Sequence, residues 1–287
     1  MDKVGIVVLN YLNYKDTIEC INSLLDIEYN NYDIVVVDNG SKNDSYKILK
    51  DEFSCKDKVE VLYMSKNLGY AKGNNFGIDY CRKELHVDHV MVINNDTIIE
   101  DKDIINTFLK YKNEGILLGP KIINLDGENQ NPVYYSSIFK VLFKKFAFFI
   151  LNFLNLYTLV RGIYRFFNKK NNKVNTVNKE VNNRKYVLHG SCIFFTNQFF
   201  DYYNGFFNKT FLYFEEFILN LMLKKVNSKM VYIEDTYIIH KEDCSSEEAF
   251  SNEEFTKLKY EIVGVLWFLI LYFIPYTKIK NMTSEVE

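Results

Sequence analysis

Short apolar runs that each stop at Asn, Asp or Gly constrain this chain most. Residues 4–9 stop at Asn10-Tyr11, and residues 33–38 end in Asp38 before Asn39-Gly40-Ser41. Residues 59–64 precede Asn67-Leu68-Gly69, and residues 89–94 end in Asn94-Asn95-Asp96. Runs that are apolar throughout and bounded by polar residues are what strands buried in a parallel sheet look like. Between them the spacing predicts helices over 16–25, 44–53, 67–81 and 101–112. Ile18, Ile21, Leu24 and Leu25 share a helical face, and Asp44 is a candidate N-cap. A fifth strand is expected over 116–123, bent at Gly119-Pro120. Strands alternating with helices of about ten to fifteen residues build βαβ units. The expected fold is α/β: a Rossmann-like, mostly parallel central sheet flanked by helices.

In such sheets, ligands bind outside the carboxyl ends of the strands. Asn10, Asp38, Asn67 with Gly69, and Asn94 with Asp96 all stand there. Taken alone, the run 90–97 reads as a strand, an Asx turn and a helix N-cap. The convergence of four polar strand ends argues instead for a nucleotide or phosphorylated ligand. Asp96 would then be a carboxylate on a rigid strand end, suited to a divalent cation carrying a diphosphate. The chain has neither GxGxxG nor GxxxxGK[ST], so neither a dinucleotide fingerprint nor a P-loop is supported.

Beyond residue 135 the character changes. Over 138–170 aromatic residues such as Phe139, Phe143, Phe146 and Phe149 recur at helical spacing among Lys and Arg, and no acid occurs between Glu128 and Glu180. A basic, aromatic amphipathic stretch suits an anionic membrane surface, although two core helices with snorkelling Lys and Arg give the same pattern. Strand character returns over 186–195, interrupted by His189-Gly190-Ser191. A helix follows over 215–226, with two short strands over 230–234 and 236–240. The last helix, begun by acids near 247–254, ends in the apolar run 262–274, shorter than the roughly twenty residues that span a bilayer. The expected organisation is 1–135, a ligand-binding half; 136–183, an insertion facing membrane; 184–245, a second half; and 246–287, a helical extension.

A net charge of −2 does not suggest a nucleic-acid binder. Five well-separated cysteines, with no CxxC pair, fit free thiols and exclude a zinc site of the usual spacing. With no signal-peptide pattern at the start, the expected location is the cytoplasm, at the inner membrane face.

Taken in order, these stretches resemble glycosyltransferase family 2, inverting nucleotide-sugar enzymes of GT-A fold, and within it the bacterial rhamnosyltransferase type. The resemblance is carried by Val7-Val8-Leu9-Asn10-Tyr11, Val36-Val37-Asp38-Asn39-Gly40-Ser41, Asn67 to Gly77, and Asn94-Asn95-Asp96-Thr97. It continues in Gly119-Pro120-Lys121, Gly190-Ser191, Phe211-Leu212-Tyr213-Phe214-Glu215-Glu216 and His240. It implies that Asn10 and Asp38 contact base and ribose, and that Asn67, Gly69, Gly73 and Asn74 close over the nucleotide. Asn94, Asn95 and Asp96 stand for the DxD motif. Asp96 and His240 would hold Mg²⁺ or Mn²⁺, and Glu216 would be the catalytic base.

The implied partners are a nucleoside-diphosphate sugar donor and a saccharide acceptor, lipid-linked, in cell-surface polysaccharide synthesis. The chain departs from the pattern at Asn94, which removes one carboxylate; at Glu216, one methylene longer than Asp; and at Ile218 and Met222, where the family carries Asp and Arg. Lys72 replaces a small residue. Those changes keep open a catalytically inactive binding subunit. A sugar nucleotidyltransferase is the weaker rival, because residues 10–16 hold no Gly or Arg.

Overall fold

The structure, a computed structural model, describes residues 1–138, 140, 142–143, 185–242 and 253–283. The 138–170 stretch therefore lies almost wholly outside the described residues, as does the acidic start of the last helix. Strands β1 (Val4–Asn10), β2 (Tyr32–Asp38), β3 (Val59–Tyr63) and β4 (His89–Asn94) alternate with helices α1 (Tyr14–Leu25), α2 (Ser45–Glu52) and α3 (Tyr70–Lys83). A short β5 (Thr97–Ile98), α4 (Ile104–Tyr111) and β6 (Leu117–Asn124) follow, then a separate hairpin of β7 (Val133–Tyr135) and β8 (Lys185–Val187). β9 (Cys192–Phe195), α5 (Asn197–Tyr202), α6 (Glu215–Lys225), β10 (Met230–His240), α7 (Glu253–Phe273) and α8 (Tyr276–Asn281) complete the described chain.

The eight-stranded sheet runs β3-β2-β1-β4-β9-β6-β10-β5. The β3-β2-β1-β4 part is parallel, as is β6 with β10, whereas β9 and β5 run against their neighbours. The expected α/β class is what forms. Because β9 sits between β4 and β6, the two halves of the chain share one sheet rather than folding separately. Two apolar cores lie on its faces, one holding Val4, Ile6 and Val8 against α1 and α2, the other holding Val7 with α3, α6 and α7.

Several local expectations shift. Residues 230–240 form one strand whose register with β6 is irregular between Ile233 and Tyr237, opposite Pro120 and Lys121. Pro120 has no N–H to give the ladder, so the neighbouring strand takes up the irregularity. Residues 186–195 divide into β8 and β9. Ser45 N–H bonds to Asn43 Oδ1 (3.2 Å) and the Asp44 side chain makes no capping bond, so Asn43 does the work predicted for Asp44.

α3 can lie close on the sheet because of two glycines one turn apart. A Cβ on Gly73 would come 2.6 Å from Leu9 Cδ1, and one on Gly77 2.5 Å from Val7 Cγ1. That close approach sets where the start of α3 meets the strand ends. Among the described residues no helix is long and apolar enough to cross a membrane.

Candidate active site

The carboxyl ends of the parallel strands open into a cleft of about 490 Å³ lined by Asn67, Gly69, Asn94, Asn95, Asp96 and His240, all picked out by sequence. Tyr11, Asn39, Tyr70, His189, Phe211–Tyr213, Glu242 and Lys257 also face it.

The other sequence candidates stand behind this wall. Asn10 and Asp38 are fully buried. Asn10 Nδ2–H donates to Asp38 Oδ2 (2.6 Å), Ser41 N–H donates to Asp38 Oδ1 (2.9 Å), and Thr17 Oγ1–H donates to Asn10 Oδ1 (2.8 Å). Each carboxylate oxygen accepts one of these bonds, so Asp38 pins the β1 and β2 ends together. Ser41 Oγ in turn accepts Leu12 N–H (2.8 Å). Gly73 faces β1, and Asn74 is buried behind the start of α3, donating to Tyr70 O (3.0 Å).

Asn39 carries order from the β2 end to the 67–69 turn. Its side chain donates to Asn67 Oδ1 (3.1 Å) and Gly69 O (3.2 Å) and accepts from Leu68 N–H (3.0 Å). Gly69 sits at φ 86°, where a Cβ would strike Phe211 O at 2.2 Å, so this turn touches the 211–214 strap with no room to spare. Tyr70 N–H donates to the same oxygen (2.7 Å).

Asp96 and His240, 144 positions apart, meet because β5 pairs with the end of β10, Thr97 opposite His240. His240 Nε2 lies 3.4 Å from Asp96 Oδ1, a buried oxygen that accepts no hydrogen bond. Gln130 orients that histidine. A carboxylate can only accept, so Gln130, bonded to Glu242 Oε1 through its amide nitrogen, must turn its carbonyl oxygen to His240 Nδ1 (2.8 Å). Nδ1 is then a donor, and Nε2 is the ring nitrogen that faces the Asp96 carboxylate. A buried carboxylate oxygen with no hydrogen bond, opposite an imidazole nitrogen held in place from its far side, is a donor set that fits the divalent ion the family resemblance implies. Among the described residues no cluster of three or more His, Cys, Asp or Glu could hold a metal. Remaining ligands would come from diphosphate and water, as is usual for Mg²⁺.

His189, which in the sequence only interrupts the strand pattern over 186–195, stands in the cleft with its ring centroid 5.5 Å from that of His240. Its Nδ1 accepts Ser191 N–H (3.2 Å), so in the neutral ring Nε2 holds the proton. Burial and the neighbouring His240 push its pKa down to about 4, which keeps it a neutral donor.

Glu216 opens α6, one residue after the buried Glu215. Burial and the adjacent Glu216 push the Glu215 carboxyl up to about 8, which favours its protonated form. Glu216 Oε1 lies over Gly190, beside Tyr70, whose hydroxyl donates to Gly190 O (2.7 Å). Tyr70 thus forms the wall between Glu216 and the cleft.

Before Glu215 the strap 211–214 is strained. Tyr213 and Phe214 both have positive φ, 71° and 79°. Packing holds them there: Phe214 stacks on Phe217 (4.7 Å between centroids) and meets Phe268 edge-on, while Phe211 stacks on Tyr260. Lys257 of α7 reaches over the Tyr213 ring. Ile218 and Met222 are buried in the core, where both act as packing residues. Tyr70 and the 211–213 strap were visible in sequence only as motif members. Lys257 carried no signal, since it comes from a helix outside those motifs.

A cleft at the strand ends of such a sheet, with a carboxylate-histidine pair on its wall and an acid pair beyond Tyr70, is the arrangement of an α/β fold of GT-A type. The family model "Glycosyl transferase family 2" matches residues 4–202, and the chain belongs to that family. It is 26% identical over 143 residues to the low-salt glycan biosynthesis hexosyltransferase Agl10 of Haloferax volcanii, covering 49% of this chain and 44% of that protein. It is 27% identical over 135 residues to glycosyltransferase GlyG of Streptococcus pneumoniae serotype 4, covering 46% and 43%. Each match thus spans less than half of the relative. In fold it is similar to S. aureus TarS 1-349 in complex with UDP-GlcNAc, with a TM-score of 0.55 at 14% identity, over 98% of this chain and 70% of that one.

Proposed function

We propose that this chain is an inverting glycosyltransferase that moves a sugar from a nucleoside-diphosphate sugar to a hydroxyl of a saccharide acceptor. The observation that carries this reading is the cleft itself. It holds a buried Asp96 carboxylate oxygen facing the His240 imidazole, and Glu216 stands beyond Tyr70 as one member of an acid pair. The curated relatives are named as a hexosyltransferase and a glycosyltransferase, and the TarS structure was solved with UDP-GlcNAc, which suits a donor of this class.

In this mechanism Asn67, Asn39 and Tyr11 line the side where the nucleoside rests. Asp96 and His240 would hold Mg²⁺ or Mn²⁺. When bound, the ion neutralises charge on the departing diphosphate. His189 offers a neutral Nε2–H to donor oxygens without adding charge. Glu216 takes the proton from the acceptor hydroxyl as that oxygen attacks the anomeric carbon, and the nucleoside diphosphate leaves from the opposite face. With the Glu215 carboxyl raised by burial, Glu216 is the member of the pair given the base role, and one base suits a single displacement with inversion. The acceptor is lipid-linked, as expected from the basic, aromatic 138–170 stretch, and the reaction is placed at the inner face of the cell membrane in surface-polysaccharide synthesis.

The binding-subunit alternative was motivated by Ile218 and Met222. Both side chains fill the core, so their apolar character has a packing reason. A panel of nucleotide sugars screened by thermal shift with Mn²⁺, followed by transfer assays with the stabilising donor, tests the reading. A donor that stabilises the protein only with Mn²⁺ and is then turned over with inverted anomeric configuration is the expected result. Retained configuration would reject the mechanism.

A further inference from the structure

Helix α7 has two different halves. Toward its start Tyr260 and Gly264 pack on the 211–214 strap, a Cβ on Gly264 lying 2.6 Å from Phe214 Cβ. Toward its end Leu266, Leu269, Ile270 and Phe273 follow one another at i, i+3, i+4 and i+7, and all four are exposed, Phe273 to 84%. Tyr272 and Tyr276 extend the same exposed stretch. An apolar row this concentrated is unusual on a surface that faces only water.

A second element joins it. Ile138 and Leu142 form, with Phe268, Leu269, Tyr272 and Phe273, the walls of an apolar cavity of about 210 Å³. Phe143, next along the chain, is 75% exposed. The apolar face is therefore continuous from α7 to the start of the basic segment. The charge carried by this stretch itself has one sign: no acid occurs over 262–284, where Lys278 lies exposed, and Lys224 and Lys140 add to it from the cavity wall and the 138–143 stretch.

We propose that the α7 face of Leu266, Leu269, Ile270 and Phe273, together with Phe143, docks on an anionic lipid surface. The helix lies along that surface rather than across it, since no described helix is long and apolar enough to span. Apolar rows bury in the acyl boundary while lysines meet anionic headgroups and tyrosines sit at the interface. The same helix packs on the strap before Glu215, so docking would set the acceptor side of the cleft beside the membrane. This deepens the lipid-linked reading of the acceptor and rests on it only for that last point.

Flotation of the full chain with phosphatidylglycerol–phosphatidylcholine vesicles tests the surface. The wild type is expected to float, and less so in high salt or without phosphatidylglycerol. Leu269→Ser with Phe273→Ser, both exposed, is expected to cut partitioning by about tenfold or more at unchanged melting temperature. Its turnover of donor with a water-soluble acceptor should equal wild type. Wild-type flotation by the double variant would overturn the proposal, as would a wild-type chain that stays in solution. A wild-type dimer that the variant splits would overturn it in favour of a second copy of this chain. Flotation without any turnover would strike the transferase reading alone.

Discussion

The Glu216 carboxylate lies directly over Gly190: a Cβ added there would sit 2.5 Å from Glu216 Oε1. Gly190 is thus a glycine for reasons of chemistry rather than of backbone freedom. It leaves room for the base beside Tyr70. Gly190→Ala pushes the end of a flexible side chain, so the fold should survive while the base moves. The expected result is a fall in kcat of about 10²-fold or more with donor affinity within about twofold of wild type, read by steady-state kinetics and donor titration. An unchanged kcat would show that Glu216 is not held where the chemistry happens.

Glu215 should make stability depend on pH. Its carboxyl is raised from 4.5 to about 8 by burial and by the Glu216 charge. A raised pKa favours the protonated folded form, so its contribution is present below about 4.5 and is lost progressively as pH rises to about 8. Glu215→Gln mimics the neutral acid and should flatten the melting-temperature profile across that interval, with the variant gaining on wild type toward pH 8.

The strained strap makes a third prediction. A Cβ on Gly264 would meet Phe214 Cβ at 2.6 Å and Tyr213 O at 3.0 Å. Neither can move without disturbing two residues at positive φ. Gly264→Ala is expected to cost about 1–3 kcal/mol by denaturant unfolding and to lower kcat as well, because the strap leads into Glu215 and Glu216. A stability loss with full activity would separate the strap from the site.

Asp96 and His240 predict how metal is bound. Asp96→Ala removes the buried oxygen facing Nε2. It should abolish stabilisation by Mn²⁺, measured by thermal shift without donor and by loss of the bound-Mn²⁺ signal in magnetic resonance. Gln130→Ala frees His240 Nδ1 from its fixed partner and should weaken Mn²⁺ about tenfold or more, as for other groups that orient a metal ligand. Wild-type Mn²⁺ binding by Asp96→Ala would remove Asp96 from the site.

Much of this arrangement was legible in the residues. The runs ending at Asn10, Asp38 and Asn94 are strands with their polar residues at one edge, because burial on both faces leaves an unmistakable apolar pattern. What periodicity could not give was depth. Asn10 and Asp38 look like ligand contacts in sequence, yet their side chains satisfy each other inside. His189 looked incidental because its partner His240 is brought to it by β10. Lys257 was invisible for the same reason: contact between a late helix and the 211–213 strap is long-range packing. The irregular register at Ile233 and Tyr237 follows from Pro120 on the neighbouring strand, which no window along 230–240 contains.

The central claim is that Glu216 removes the acceptor proton. Glu216→Gln keeps shape and hydrogen bonding but cannot act as a base at neutral pH. The decisive measurement is single-turnover transfer by this variant with saturating donor, Mn²⁺ and acceptor. The account predicts donor binding like wild type and transfer slowed by about 10²- to 10⁴-fold. Transfer at the wild-type rate with donor bound normally would contradict it.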